Sequence, residues 1–115
     1  MTTEQFISAS IDRGEKEGCA ALGTKEKTIF LISEAEVLCD MQGIDTLLDR
    51  IENRTIPVVS EAFDAIGAID IATCLKEIET MLPQRNDAIL ERANQLITSR
   101  HGYSYDSIKQ YAERA

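Results

Sequence analysis

Residues 57–83, PVVSEAFDAIGAIDIATCLKEIETMLP, contain the signals that decide the fold. Pro57 suits the first turn of a helix, and apolar residues then recur at helical spacing until Gly67 stops the pattern. Asp70 is the expected N-cap of a second helix, which Pro83 closes. The residues expected to face inward are Val59, Ala62, Phe63 and Ile66 in the first helix, and Ile71, Leu75, Ile78 and Leu82 in the second. The stretch therefore predicts a helical hairpin.

Three further helices are predicted before the hairpin, over about 2–22, 25–41 and 44–53. Thr2 and Gln5 form a capping box for the first, and Thr24 is the expected cap of the second. Gly14 and Gly18 either weaken the first helix or let another helix approach it closely. The run from Ile29 to Ile32 has a strand as its alternative, but the chain offers no second strand of comparable length to pair with it.

After the hairpin, Asn86 or Asp87 starts the next helix, and Gly102 stands where a C-terminal glycine cap belongs. His101, in the last turn, is interpreted as a partner of the helix dipole. A last short helix begins near Asp106. The whole chain, 1–115, is thus predicted to be a compact all-α single-domain bundle of five to seven short helices. Phe30, Phe63 and the tyrosines are expected in its core.

The acidic charge of the chain is concentrated in one part of it. Residues 34–79 contain eleven acids against three bases, a net −8 that equals the formal charge of the whole chain. The segments on both sides are nearly neutral. A field of one sign repels nucleic acid and lipid headgroups and attracts basic partners. We therefore expect a binding role towards a basic protein, with no direct nucleic-acid or membrane contact.

Several other classes are disfavoured by composition. No apolar run approaches the roughly 20 residues of a membrane span, and the polar start MTTEQ lacks the regions of a signal peptide, so a cytoplasmic protein is expected. Cys19, Cys39 and Cys74 match neither a disulfide framework nor the close pairs of a zinc site and are interpreted as buried small hydrophobes. With 43% hydrophobic residues, the chain is not a disordered acidic tail.

The sequence contains no recognised catalytic motif, and we predict neither an enzyme nor a cofactor. The glycines lack the Lys-Ser/Thr ending of a phosphate-binding loop, and no nucleophile elbow or His-Glu-x-x-His occurs. The carboxylates near Glu34 and Asp45 form a metal site only as a minor alternative, since a di-metal helical site usually adds a Glu-x-x-His pair.

Collective spacing distinguishes the acids from an ordinary solvated helix face. Carboxylates at i and i+4 of a helix are separated axially by about 6 Å, close to two phosphate steps of roughly 3.4 Å along a DNA strand. Rows of Asp and Glu can therefore imitate phosphates to a basic protein. The residues predicted to form this acidic face are Glu36, Asp40, Asp45, Asp49, Glu52, Glu61 and Asp64.

One motif also carries a family resemblance. Residues 62–68, AFDAIGA, followed by Ala72 and Leu75, resemble the Ala-Leu-x-x-Ile-Gly-Ala signature of a bacterial DNA-mimic protein family of formerly unknown function. Upstream, where that family has Asn-Gly-Gly-Phe and Gln-Tyr-Phe motifs, this chain has the segments 41–44, MQGI, and 47–48, LL, and retains only the second glycine. The resemblance covers roughly residues 30–112.

The resemblance implies an all-α acidic protein whose carboxylates occupy the DNA-binding face of a partner such as a transcriptional regulator or a nucleoid protein. No particular acid belongs to the signature. An immunity or antitoxin-like inhibitor of a basic toxin nuclease fits the charge equally well. A third interpretation is a helical domain whose acids serve solubility and whose apolar faces form a homodimer.

Overall fold

The computed structural model describes residues 2–50 and 56–114, and in these residues the fold is all-α. A single 3-10 turn, Cys19–Ala21, follows the first helix, and the described ranges contain no strand. The α-helices are α1 (Thr3–Glu17), α2 (Thr24–Met41), α3 (Ile44–Arg50), α4 (Ile56–Ala65), α5 (Ile69–Met81), α6 (Asp87–Thr98) and α7 (Tyr105–Glu113). The prediction of a compact all-α bundle of five to seven helices is confirmed, and the radius of gyration is 13.5 Å.

Helix α2 lies at the centre of the bundle. It packs against α1, α3, α4, α6 and α7, and its residues Ile29, Ile32 and Ala35 are almost completely buried. The run from Ile29 to Ile32 is thus helical, and the strand alternative is wrong. A helix surrounded on most sides needs apolar residues around most of its circumference, which explains why this run looked like a strand.

The hairpin predicted from residues 57–83 is formed by α4 and α5. Ser60, which is fully buried, donates a hydrogen bond from its Oγ to the carbonyl oxygen of Ala72 at 2.9 Å. Ala68 and Ala72 are also buried where the two helices meet. Gly67 has a φ of 86° in the turn, a backbone conformation that favours glycine. Because these residues are small, the two helices can approach closely.

The helix starts confirm two predicted caps and correct two others. Thr2 and Gln5 form the capping box of α1, and Asn86 Oδ1 accepts from the backbone N–H of Ile89 at the start of α6. Thr24, however, is the first residue of α2, whose N-cap is Gly23. Asp70 likewise lies inside the first turn of α5, after the N-cap Ala68. An acid in the first turn still interacts favourably with the helix dipole, so the sequence signal there was one of charge rather than of capping.

The helix ends differ from the prediction in two places. Helix α1 stops at Glu17 rather than near Leu22, because Gly18 adopts a φ of 87° and the chain continues as the 3-10 turn. The predicted end of the third helix, near Asn53, lies outside the described residues. The prediction of Gly102 as the C-terminal cap of α6 is wrong, because the helix ends at Thr98 with Ser99 as its C-cap, and the φ of 79° at Gly102 belongs to the turn that follows.

Most aromatic side chains belong to the core as predicted. Phe30 and Phe63 are buried, and Phe63 makes an edge-to-face contact with the buried Tyr103, with ring centroids 5.8 Å apart. Tyr111 is partly buried against the core. Tyr105 is 52% exposed and does not belong to it.

Candidate interaction surface

The predicted acidic residues lie on three helices. Glu36 and Asp40 belong to α2, Asp45 and Asp49 to α3, and Glu61 and Asp64 to α4. Glu52 lies outside the described residues. Within each of the first two pairs the residues are four apart, so their side chains lie one turn apart on the same face of the helix. The three pairs differ in what they contact.

The α2 pair binds one guanidinium from the connection between α6 and α7. Arg100 Nη2 lies 2.7 Å from Asp40 Oδ2, Nη1 lies 2.9 Å from Asp40 Oδ1, and Nε lies 3.1 Å from Glu36 Oε2. The hydrogen bond from Arg100 lowers the pKa of Asp40 below its ordinary value. Arg100 has a φ of 54°, which is uncommon for a residue with a side chain. This contact fixes the α6–α7 connection against α2.

Tyr103 extends the same cluster towards the core. Its hydroxyl donates a hydrogen bond to Glu36 Oε2 at 2.6 Å, and its ring contacts Phe63. Burial, followed by the hydrogen bond to Glu36, raises the pKa of the phenol. Glu36 therefore has a guanidinium and a phenol as partners, and its side chain is only 20% exposed. A carboxylate held in this way contributes to the structure of the bundle more than to an open surface.

The α3 pair binds a second guanidinium, that of Arg85 in the connection between α5 and α6. Arg85 Nη1 lies 3.1 Å from Asp45 Oδ1, and Nη2 lies 2.7 Å from Asp49 Oδ1. These contacts raise the pKa of Arg85, with the hydrogen bond to Asp49 as the largest cause. Both aspartate side chains are 66% exposed. The contact between Arg85 and the two aspartates is therefore a solvent-exposed ion pair on the surface.

The α4 pair has no such partner. Glu61 and Asp64 are exposed, and neither forms an ion pair or side-chain hydrogen bond with any other residue that the structure describes. Glu77 and Glu79 of α5 are exposed and unpaired in the same sense. The α4–α5 hairpin, residues 56–81, contains five acids and a single base, Lys76. Of the predicted acids that the structure describes, Glu61 and Asp64 are therefore the two whose carboxylates are available, and Glu77 and Glu79 add two further exposed acids to the hairpin.

The fifth acid of the hairpin contacts the single histidine. Asp70 Oδ2 lies 2.8 Å from His101 Nε2, and both side chains are exposed. The contact joins the first turn of α5 to the α6–α7 connection. The sequence predicts His101 as a partner of the dipole of its own helix. The structure places it beyond the end of α6, at Thr98, and gives it a carboxylate of α5 as its side-chain partner.

Sequence reasoning missed Arg85, Arg100 and Tyr103. Arg100 is 60 residues from Asp40 along the chain, and Arg85 is 36 residues from Asp49. No local motif connects residues at such separations, and a charge count along the chain places both arginines outside the acidic segment. Only the packing of α6 and α7 onto the bundle brings them to the carboxylates.

The three cysteines differ in how deeply they are buried. Cys39 and Cys74 are buried as predicted, whereas Cys19 is only partly so. Burial raises the pKa of all three thiols. Across the described ranges, no three metal-ligating side chains group together, and no helix is both long and apolar enough to cross a membrane.

Comparison of the chain with models of protein families, with curated proteins and with solved structures finds no match. The resemblance to the DNA-mimic family therefore stays a prediction from the residues that carry it.

Proposed function

We propose that this protein is a non-enzymatic interaction module that presents carboxylates to the basic surface of a DNA-binding protein. The observation that carries the proposal is the charge of the α4–α5 hairpin. Four of its five acids have no ion-pair partner among the described residues. The bases that oppose them are Lys76 of the hairpin itself and Arg114, whose Nη1 donates to the carbonyl oxygen of Ala65 at 3.4 Å. Unpaired carboxylates of one sign create a potential that attracts a basic surface.

Two observations favour α4 as the centre of the contact. Glu61 and Asp64 are exposed and have no ion-pair partner among the described residues. The resemblance of residues 62–68 to the DNA-mimic signature falls in the same hairpin. The axial separation of the two acids, about 4.5 Å, matches neither one nor two phosphate steps of about 3.4 Å, so the proposal rests on their charge rather than on their spacing.

We assign different roles to the predicted acids according to their contacts in the fold. Glu61 and Asp64 form the contact directly. Asp45 and Asp49 contribute only when Arg85 leaves them, because both carboxylates are engaged. Glu36 and Asp40 hold the α6–α7 connection, and we assign them to the stability of the fold.

The first test identifies a partner and then measures competition with DNA. The immobilised protein is incubated with lysate of the source organism at low and at moderate salt, and retained proteins are identified by mass spectrometry. A retained DNA-binding protein is purified and loaded with a fluorescently labelled duplex. We expect the acidic protein to displace the duplex at low salt, with an affinity that falls as salt rises.

Charge-reversal variants then locate the surface. Glu61→Lys combined with Asp64→Lys should reduce displacement at least tenfold, because two attractions become repulsions. The matched control is Asp12→Lys with Glu15→Lys on α1, which changes the same charge at the same spacing on another exposed helix. Equal losses in both double variants would mean that net charge alone acts. Absence of any displacement by the unmodified protein would overturn the proposal.

A further inference from the structure

Two carboxylate pairs of this fold each bind one arginine of the same chain. In both cases the carboxylates are four residues apart on one helix, and the guanidinium comes from a connection in the C-terminal part. A planar guanidinium offers several donors in fixed directions and can bind two carboxylates at once, whereas an ammonium acts as a point charge. The bound groups therefore show that each pair can accept a guanidinium.

Arg100 is firmly integrated into the bundle. Besides its two carboxylates, it donates from Nη1 to the backbone carbonyls of Ile97 and Thr98, at 3.0 and 3.3 Å. Its partner Glu36 is largely buried and also accepts from Tyr103. Removal of this arginine would leave a half-buried carboxylate without its charge partner, which is costly. Arg100 is a structural group.

Arg85 differs in every one of these respects. Its only hydrogen bonds within the described ranges go to Asp45 and Asp49, and none goes to a backbone carbonyl. The two arginine side chains are about equally exposed, 37% for Arg85 and 35% for Arg100, so the difference lies in their other contacts and in their carboxylates. Both carboxylates that Arg85 binds are still more exposed. Ion pairs of this kind contribute little to stability and are screened by salt. A guanidinium from another molecule could therefore replace that of Arg85 without unfolding the bundle.

We propose that Arg85 is an autoinhibitory internal ligand, which occupies Asp45 and Asp49 until an arginine of a basic partner displaces it. The inference rests on the proposed function, since it assumes a basic partner. The internal arginine reduces the affinity of the acidic surface in two ways: it blocks two carboxylates and adds a positive charge beside them. It also sets a preference, because an arginine of the partner reproduces the two-carboxylate contact and a lysine does not.

The test compares Arg85→Gln with Arg92→Gln. Arg92 is exposed on the neighbouring helix α6 and has no ion pair among the described residues, so both variants change the net charge equally. Binding of a labelled oligo-arginine peptide and of an oligo-lysine peptide of equal length is measured by fluorescence anisotropy. We expect Arg85→Gln to bind oligo-arginine roughly threefold to tenfold more tightly than Arg92→Gln does. The gain for oligo-lysine should be smaller.

A second set of variants shows whether the increase in peptide affinity depends on the carboxylates of α3. In a background with Asp45→Asn and Asp49→Asn, the difference between the two arginine variants should vanish, because the carboxylates that Arg85 blocks are gone. A difference that persists in this background would overturn the inference, as would equal binding by the two arginine variants.

The outcomes separate this inference from the proposed function. In one outcome, the unmodified protein binds the peptides in a salt-dependent way while Arg85→Gln binds them no more tightly than Arg92→Gln. That result would support the proposed acidic surface and would show that Arg85 is not an internal ligand. If neither the protein nor any variant binds a basic peptide, both proposals fail. Circular dichroism of each variant verifies that the helices remain folded.

Discussion

Phe30 of α2 lies directly against a residue of α1 that has no side chain. A Cβ atom placed on Gly14 would stand 2.3 Å from Phe30 Cδ1 and 2.4 Å from Cγ. Such distances are too short for two carbon atoms, so the ring occupies the space that a side chain at position 14 would need. The close helix approach considered for Gly14 from the sequence is therefore present. Gly18 serves another purpose, since its left-handed backbone ends the helix.

Replacing Gly14 tests this contact at the level of one atom. At an open helical site Gly→Ala gains roughly 1 kcal/mol of helix propensity. Here the added methyl group overpacks a rigid ring, at a cost of about 1–3 kcal/mol. We expect Gly14→Ala to lower the free energy of unfolding, as measured by urea denaturation, despite the better propensity of alanine.

Two further variants make the interpretation specific. Ser8→Ala, at an exposed position of the same helix, should stay within about 0.5 kcal/mol of the unmodified protein. Phe30→Leu in the Gly14→Ala background should recover part of the loss caused by the added methyl group. A Gly14→Ala variant more stable than the unmodified protein would show that the ring does not occupy this space.

At the scale of an element, the α4–α5 hairpin depends on small residues between its helices. Ala72 is 2% exposed, and its carbonyl oxygen accepts the hydrogen bond of Ser60. We expect Ala72→Leu to cost about 1–3 kcal/mol, because three additional carbon atoms must enter a filled interface. The adjacent Thr73 is exposed, and Thr73→Leu should change the free energy of unfolding by less than about 0.5 kcal/mol.

Thermal and urea unfolding of the two leucine variants measure this difference. The leucine at the neighbouring exposed position controls for the general effect of adding this side chain to α5. Ala→Leu loses a few tenths of a kcal/mol of helix propensity and Thr→Leu gains a similar amount, so only a larger difference is attributed to the interface. Equal stability of the two variants would mean that the helices do not meet at Ala72. The DNA-competition assay of the proposed function can be repeated with Ala72→Leu to learn whether the geometry of the hairpin matters for binding.

The hairpin was predictable from the sequence because its signals are local. Apolar residues at helical spacing, Gly67 in the turn and Pro83 at the end all act within a few residues of where they stand. Caps were less reliable. Thr24 and Asp70 are good capping residues, yet Gly23 and Ala68 occupy the N-cap positions, since the tertiary packing of α2 and α5 decides where each first turn begins.

At the scale of the whole molecule, charge is distributed differently in the folded structure than along the sequence. The sequence places a net −8 in residues 34–79 and no excess after them. In the folded protein, Arg85 and Arg100, which lie in the last third of the chain, bind four of the predicted carboxylates. Residues far apart in the chain cannot be paired from one sequence, so the predicted face contained both engaged and available acids.

The alkaline limit of stability is also a property of the whole bundle. Burial raises the pKa of Cys39 from 9.0 to about 12, and it also raises those of Cys74 and Tyr103. The folded chain therefore keeps protons that the unfolded chain releases above about pH 9. The pKa values are higher in the folded state than in the unfolded state. This stabilisation is therefore complete below about pH 9 and is lost as the pH rises through the pKa values of the folded state.

We expect the free energy of unfolding to fall between about pH 9 and about pH 12, with Cys39 contributing on the order of 1–4 kcal/mol to the loss. Urea denaturation under reducing conditions at a series of pH values measures it. Cys39→Ala should be less stable at neutral pH, because it leaves a small cavity, but its stability should decrease less steeply in the alkaline range. A decrease as steep in this variant as in the unmodified protein would mean that ionisation of Cys39 is not linked to unfolding, and that the loss arises from other groups whose pKa the fold raises, such as Cys74, Tyr103 and Lys109.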